Sequence, residues 1–260
     1  MTISLPDLLR EKLAAAAPLY GALAIVALWW LLWAMKFADP LLLPPPQAAF
    51  GALWAGFADG TLTEDFLRTT WRTLLSFAIA TMIAVPVGIL FGSSKRLYSS
   101  IEFVVDFFRS TPASAMFPLF LVLFGVGEET KIAVAAFGAS LVILFNVAYG
   151  VMNTRKTRQA AVRVMGASKL RVMIDVTLLE SLPQTFVGMR SGVSIALVIV
   201  IVAEMFIGST DGLGQRVIKA QALFEIPEMY AAIFAAGALG YGMNLLFLVI
   251  ERLFVHWGGK

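Results

Sequence analysis

The chain has 260 residues, of which 59% are hydrophobic and 14% charged, with a mean hydropathy of +0.83. That leaves too little polar side chain to clothe a water-soluble protein, so lipid must be the solvent for most of it. The net charge of +3 is the balance that excess cytoplasmic Lys and Arg gives a membrane protein, and it points to no nucleic-acid partner. The absence of cysteine excludes disulfides, iron–sulfur clusters, thiolate nucleophiles and cysteine-ligated zinc, and the one histidine, His256, reads as a solvated tail residue. No metal-ligand cluster is visible.

In hydrocarbon only helices or closed barrels satisfy the backbone, and the apolar runs here are long and free of period-2 alternation, so they read as helices. Residues 1–17, with Asp7, Arg10, Glu11 and Lys12, form a predicted cytoplasmic tail, and 18–260 a single membrane domain. The first span runs from Pro18 to Met35, with Trp29, Trp30 and Trp33 near its far end, where amphipathic rings favour the headgroup zone. It stops before Asp39-Pro40, and Pro44-Pro45-Pro46 cannot continue a helix. Gln47 to Phe57 reads as a short surface helix, and Thr63-Glu64-Asp65 as a helix start. Further spans are predicted at Leu74 to Phe91, Pro112 to Gly125, Ile132 to Met152, Val187 to Ile207 and Met229 to Ile250. The third is short and is extended backwards by the amphipathic stretch Ile101 to Phe108. The fold expected is therefore all-α, a polytopic membrane protein of about six transmembrane helices.

Lys95, Arg96 and Arg109 follow the second span, and Arg155, Lys156, Arg158, Arg163, Lys169 and Arg171 the fourth. The other links are richer in acids (Asp39, Asp59, Glu64, Asp65; Glu128, Glu129; Asp211, Glu225, Glu228). Positive charge stays inside, which puts both termini in the cytoplasm.

Gly-x4-Gly-Lys-Ser/Thr, the loop whose amides cradle nucleotide phosphates, is absent. Gly166-Ala167-Ser168-Lys169 lacks the second glycine, so any ATP that drives this protein binds another chain. The most informative segment is the basic link 153–186, which is not composed like a flexible loop. Ala160, Ala161, Val164, Met165 and Ser168 share one helical face, Leu170, Met173, Ile174, Thr177 and Leu178 another, and Gly166-Ala167 separates the two. Such an element is either a docking surface for another protein or an amphipathic pair resting on headgroups.

Gln159-Ala160-Ala161-Val162-Arg163-Val164-Met165-Gly166-Ala167-Ser168, followed by Leu182-Pro183 and Gly188-Met189-Arg190, resembles the cytoplasmic signature of ABC-importer permeases: Glu-Ala-Ala, three residues, Gly, then an element ending near Leu-Pro. Leu43-Pro44-Pro45-Pro46, Thr69 to Gly92, Arg109-Ser110-Thr111-Pro112 through Gly125, and Ala203-Glu204-Met205 with Asp211-Gly212-Leu213-Gly214 look like parts of one subgroup. That subgroup serves nitrate, taurine, aliphatic sulfonates, bicarbonate and pyrimidine-type precursors. Two departures stand out: Ala160 occupies the place of the family's Glu, and Leu179 that of a frequent first proline.

The resemblance implies a type I importer permease that binds no cofactor itself. It implies two ABC ATPase subunits carrying ATP and Mg²⁺, a second permease copy as a homodimer, an external substrate-binding protein, and residence in a bacterial inner membrane. It further implies that Ala160, Ala161, Arg163, Gly166, Ala167, Ser168, Leu182 and Pro183 form the coupling loop seated in the ATPase. Gly166 would allow a sharp turn, and Pro183 would end the second short helix and aim the fifth span.

Polar residues within spans are functional candidates because burying them unpaired is costly. Glu204 could line the pathway, pair with a basic residue or meet a delivery protein. Asn146, Ser140, Ser191, Ser194 and Asn244 fit hydrogen bonds between helices or a pore lining. Arg109 and Arg190 are placed at cytoplasmic span boundaries, where snorkelling explains them, with anion release as the alternative. The rival readings are a secondary transporter with no ATPase and the coupling component of a vitamin-type importer. The first is disfavoured by the lack of repeated halves or paired broken helices.

Overall fold

Continuous apolar sequence makes helices that satisfy their own backbone, and the computed structural model, which describes residues 17–255, consists of such helices joined by short turns. His256 and all but the last residue of the predicted 1–17 tail lie outside the described residues. The helices are α1 (Ala17–Ala34), α2 (Pro46–Ala58), α3 (Thr61–Gly92), α4 (Lys95–Ser110), α5 (Phe117–Phe124), α6 (Glu128–Met152), α7 (Lys156–Val164), α8 (Lys169–Phe206), α9 (Leu213–Ala222) and α10 (Ile226–Phe254).

Four of these, α3, α6, α8 and α10, are long and apolar enough to cross a membrane. A fifth candidate is α4 together with the segment Ala113–Phe124, bent by 92° between them, as in a broken span or a re-entrant loop. The first predicted span falls on the shorter apolar helix α1. Its Trp29 indole donates to the Pro44 carbonyl at 3.0 Å and stacks on Tyr230 at 5.3 Å, which ties α1 to the start of α2 and to α10. The proline run does more than stop a helix, because Pro46 opens α2 from a position where no amide is needed.

The second span begins earlier than hydropathy predicts, at Thr61 rather than Leu74. Its first turns carry Glu64, Asp65, Arg68 and Arg72, which lower the hydropathy of any window that includes them.

The centre of the fold is α6, packed between α3 and α8. Ala80, Ala84, Ala136, Ala139, Ile143, Val147 and Ala196 form its core. Without a hydrophobic drive between helices in lipid, association relies on close packing of small residues. A methyl group on Gly92 would stand 2.6 Å from the Ala148 carbonyl oxygen, and one on Gly88 would stand 2.9 Å from that of Leu144. Gly188 and Gly192 of α8 meet Asn146 and Ile143 of α6 in the same way. A second core joins Leu62 of α3, Val193 and Leu197 of α8, Leu213 of α9 and Leu239, Met243 and Phe247 of α10. The bundle has two functional-looking ends: one holds α7 beyond Met152, and the other gathers the starts of α3, α6 and α9 with the end of α8.

Candidate functional site

At the first end, the link after α6 is folded into a capped helix–turn–helix. Helix α7 closes on Gly166, whose φ of +88° is open to glycine at little cost. The Gly166 amide donates to the Arg163 carbonyl at 2.9 Å and the Ala167 amide to that of Val162 at 3.2 Å, a double closure that satisfies the last carbonyls of the helix. Two residues on, the Ser168 hydroxyl accepts from the Arg171 amide at 3.3 Å and caps α8.

The inner face of this helix–turn–helix is pinned to the rest of the chain. The Gln159 amide donates to the hydroxyls of Thr154 at 2.7 Å and Thr177 at 3.1 Å. Glu180 accepts from the Arg155 amide at 2.8 Å and the Arg158 guanidinium at 2.6 Å. Ala160 brings no carboxylate, and the acid that holds α7 comes instead from α8.

Among the described residues the outer face is left largely uncovered. Val164 is 89% exposed and Met165 84%, Leu170 is exposed beside them, and so are Ala160, Ala161 and Arg163. Apolar side chains exposed on a capped turn suit burial by a protein partner or by lipid headgroups, the two readings the sequence left open.

Leu182 and Pro183 are half-buried within α8. Here the structure differs from the sequence expectation, because Pro183 does not end a helix: α8 runs on from Lys169 to Phe206. Neighbouring helices support a transmembrane helix across one missing amide. Just upstream, Met173–Leu178 forms a wider π turn.

At the opposite end lies a buried charge cluster built around Arg72, a residue sequence reasoning passed over. Its guanidinium, 2% exposed, donates to Glu128 twice, at 2.6 and 2.7 Å, to Glu204 at 2.7 Å, and to both the side chain and the backbone carbonyl of Asp211. Glu204 is fully enclosed and also accepts from the Thr69 hydroxyl and, at 2.9 Å, from the Gly214 amide. Lys131 adds a second cation, donating to Glu128 and Ser209 at 3.0 Å each. Of the roles open to Glu204 in the sequence, the geometry assigns pairing with a basic residue.

The cluster fastens the turn between α8 and α9. Gly212 donates to Asp65 at 2.8 Å and Leu213 to Thr69 at 2.9 Å. Gly212 has φ +106°, and a side chain there would stand 2.4 Å from the Glu204 carboxyl. One guanidinium thus binds α3, α6, α8 and the turn into one unit, with the hydrogen bonds that a buried ion group needs.

The other polar candidates separate by geometry. Asn146 donates to Val142 and accepts from Gln184 at 2.7 Å, a tie between α6 and α8. Ser140 and Ser194 donate to carbonyls of their own helices, and Ser191 and Asn244 are half-buried. Arg190 sits 3.8 Å from Glu251 of α10. Arg109 stands 4.8 Å over the ring of Phe145, seven residues before α6 ends.

Residues 84–257 match the family model described as binding-protein-dependent transport system inner membrane component. The taurine transport system permease protein TauC of Escherichia coli (strain K12) is 28% identical over 246 residues, covering 92% of this chain and 89% of its own. A probable ABC transporter permease protein of Brucella melitensis biotype 1 is 32% identical over 232 residues, covering 88% and 92%. The bicarbonate transport system permease protein CmpB of Synechococcus elongatus is 28% identical, covering 95% and 90%. Among solved structures, the inward-facing MetNI methionine ABC transporter superposes with a TM-score of 0.66 at 22% identity, over 74% of this chain and 95% of that one. An amino acid ABC transporter with histidines gives 0.62 at 16% identity, over 78% and 97%. These two likenesses concern the fold, and they agree with the family match. The chain belongs to the binding-protein-dependent inner membrane component family and is a permease subunit of an ABC importer.

Proposed function

We propose that this permease carries a small anionic solute of the sulfonate, taurine or bicarbonate kind, and that the turn around Gly166 seats it in a separate ATPase. The observation that carries the reading is the capped element α7–Gly166–α8, whose Val164, Met165 and Leu170 stand exposed beyond the spans. In this reading two ATPase chains bind ATP and Mg²⁺ while this chain binds no cofactor. A second copy completes the pathway, and a binding protein delivers solute at the Arg72 end. The basic loop end faces the cytoplasm of a bacterial inner membrane, with both termini on that side. The names of the relatives support the solute class, and the positive-inside pattern supports the orientation.

The mechanism follows from stiffness. When the ATPase pair closes on ATP the two seats move together, and a turn fixed by the Gly166 closure and by Glu180 passes that displacement to α8 rather than absorbing it. Residues on the outer face of the turn bind the seat, and those on its inner face transmit force.

The test is co-purification of the solubilised chain with the ATPase encoded beside it. Wild type should hold the ATPase, whereas Gly166→Trp and Met165→Glu should release it or uncouple hydrolysis from uptake. No atom lies within 4 Å of a Cβ at Gly166, so the new bulk points outward, although φ +88° strains the backbone there. Met165→Glu perturbs no internal contact of note and serves as the fold-neutral variant. Uptake by wild type with no ATPase present would instead favour a secondary transporter.

A further inference from the structure

Midway along the bundle, where α4 breaks at Thr111-Pro112 and the chain restarts at Ala113, the structure holds a half-open cavity of about 330 Å³. Its wall is apolar on the α6 and α8 side, with Leu141, Val142, Ile195 and Val198, and carries Arg109 and Ser114 on the broken-helix side. Broken backbone at membrane depth persists only where protein buries it or a cavity receives it. An ionisable side chain at that depth marks a pathway by default. Both occur here, on the same wall.

The depth is set by α6. Gly138, Leu141 and Val142 flank the midpoint of its span from Glu128 to Met152. Arg109 lies over Phe145, about 10 Å short of the helix end at 1.5 Å per residue. Its nearest carboxylate is Asp106, one turn back at 3.3 Å. That pair is half-exposed on both sides and so holds the guanidinium weakly, and Asp106 is not part of the cavity wall. Among the described residues no acid lines the cavity.

We propose that this cavity is a transient subsite for the transported anion, in which the Arg109 guanidinium meets a sulfonate- or carboxylate-type headgroup and the Val142, Ile195 and Val198 wall meets its short apolar part. The inference rests on the anionic-solute reading above and adds the residue that selects charge within the membrane. A single, partly solvated cation suits a station that must release its ion again: it binds the anion without the full set of donors that would trap it. Phe145 behind the guanidinium holds the arginine in place by a cation–π contact, and the weak Asp106 pair is what an incoming anion would compete with.

The sequence contains no cysteine, so a single one can be placed without background. Ser114→Cys, reconstituted in phosphatidylcholine vesicles, is reacted with 2-sulfonatoethyl methanethiosulfonate, itself a small sulfonate, and with its trimethylammonioethyl counterpart. The anionic reagent should react faster by at least about tenfold, since a cation within several ångströms in a low-dielectric cavity acts in opposite senses on the two. Arg109→Gln should bring the ratio to one or below, Arg109→Lys should preserve most of it, and excess ethanesulfonate should slow the anionic reagent in the wild-type background alone. Taking the ratio of two reagents cancels changes in accessibility or folding. A ratio near one with Arg109 present, a ratio unmoved by Arg109→Gln, or no reaction with either reagent because lipid or a second copy fills the cavity, would each overturn the proposal. The assay uses neither ATP nor ATPase, so it fails or stands separately from the co-purification test.

Discussion

Removing Arg72 strands charge in three directions at once. Breaking a buried, hydrogen-bonded ion group by deleting one partner costs about 3–5 kcal/mol, because the remaining charge is left without compensation. Arg72→Met should therefore lower the thermal stability of the detergent-solubilised chain more than Glu204→Gln, which leaves the guanidinium with Glu128 and Asp211. Glu128→Gln should cost least of the three, since that side chain is half-exposed and water can take over its role. Unfolding followed by tryptophan fluorescence gives the order, and Glu128→Gln proving the most damaging would contradict the geometry. In the sequence Glu204 was visible as a charge inside an apolar run, and pairing was one of its stated roles. Its partner was not visible, because Arg72 lies 132 residues away and in the stretch that hydropathy excluded from the span. Two opposite charges set in apolar surroundings were the only signal, and linear spacing has no rule that joins them.

For the helices, hydropathy located each apolar run because lipid imposes one requirement on all of them. It could not report how closely they approach. Helix α3 meets α6 through Gly88 and Gly92, where a methyl group would press on backbone that has no freedom to move. Gly92→Ala should separate the pair and cost about 1–3 kcal/mol, the usual penalty for overfilling a tight core. Gly237→Ala in α10, with nothing within 4 Å of the added methyl, should be neutral or slightly stabilising through helix propensity. The two variants differ chiefly in what faces the glycine, although Gly92 closes α3 and Gly237 is interior to α10, so equal unfolding temperatures would rule out the close-packed α3–α6 seam. Pro183 teaches a related lesson: local chemistry predicts a break, but packing on both sides carries α8 through it. Conversely, the Gly166 turn was legible because everything that makes it, the glycine, the alanines and the capping Ser168, lies within a few residues.

Across the molecule, α8 joins the two ends. Its 38 residues have a contour of about 57 Å, nearly twice the hydrocarbon thickness, so one helix begins at the exposed turn and ends at Glu204 in the charge cluster. A displacement applied at Met165 therefore reaches the opposite end through continuous backbone, with the charge cluster as the point where it is resisted. Between the two lies the π turn Met173–Leu178, which holds one residue more than an α-helical turn requires. Deleting the half-exposed Ile174 should convert it to α-helix and rotate everything before it by about 100° relative to the span. Val164, Met165 and Leu170 would then point away from the proposed ATPase seat. The Gln159–Thr177 and Arg158–Glu180 ties would also be put out of register. The deletion falls in the first turns of α8, ahead of the stretch Leu179–Phe206, so the chain should still insert and keep its unfolding temperature within a few degrees. In vesicles containing the ATPase and the binding protein, uptake of the proposed sulfonate-type solute, with taurine as the probe, should fall at least about tenfold, the effect of losing little more than 1.4 kcal/mol of coupling. Full uptake by the deletion variant would mean that the turn tolerates any orientation, and α8 would then be a tether rather than a lever.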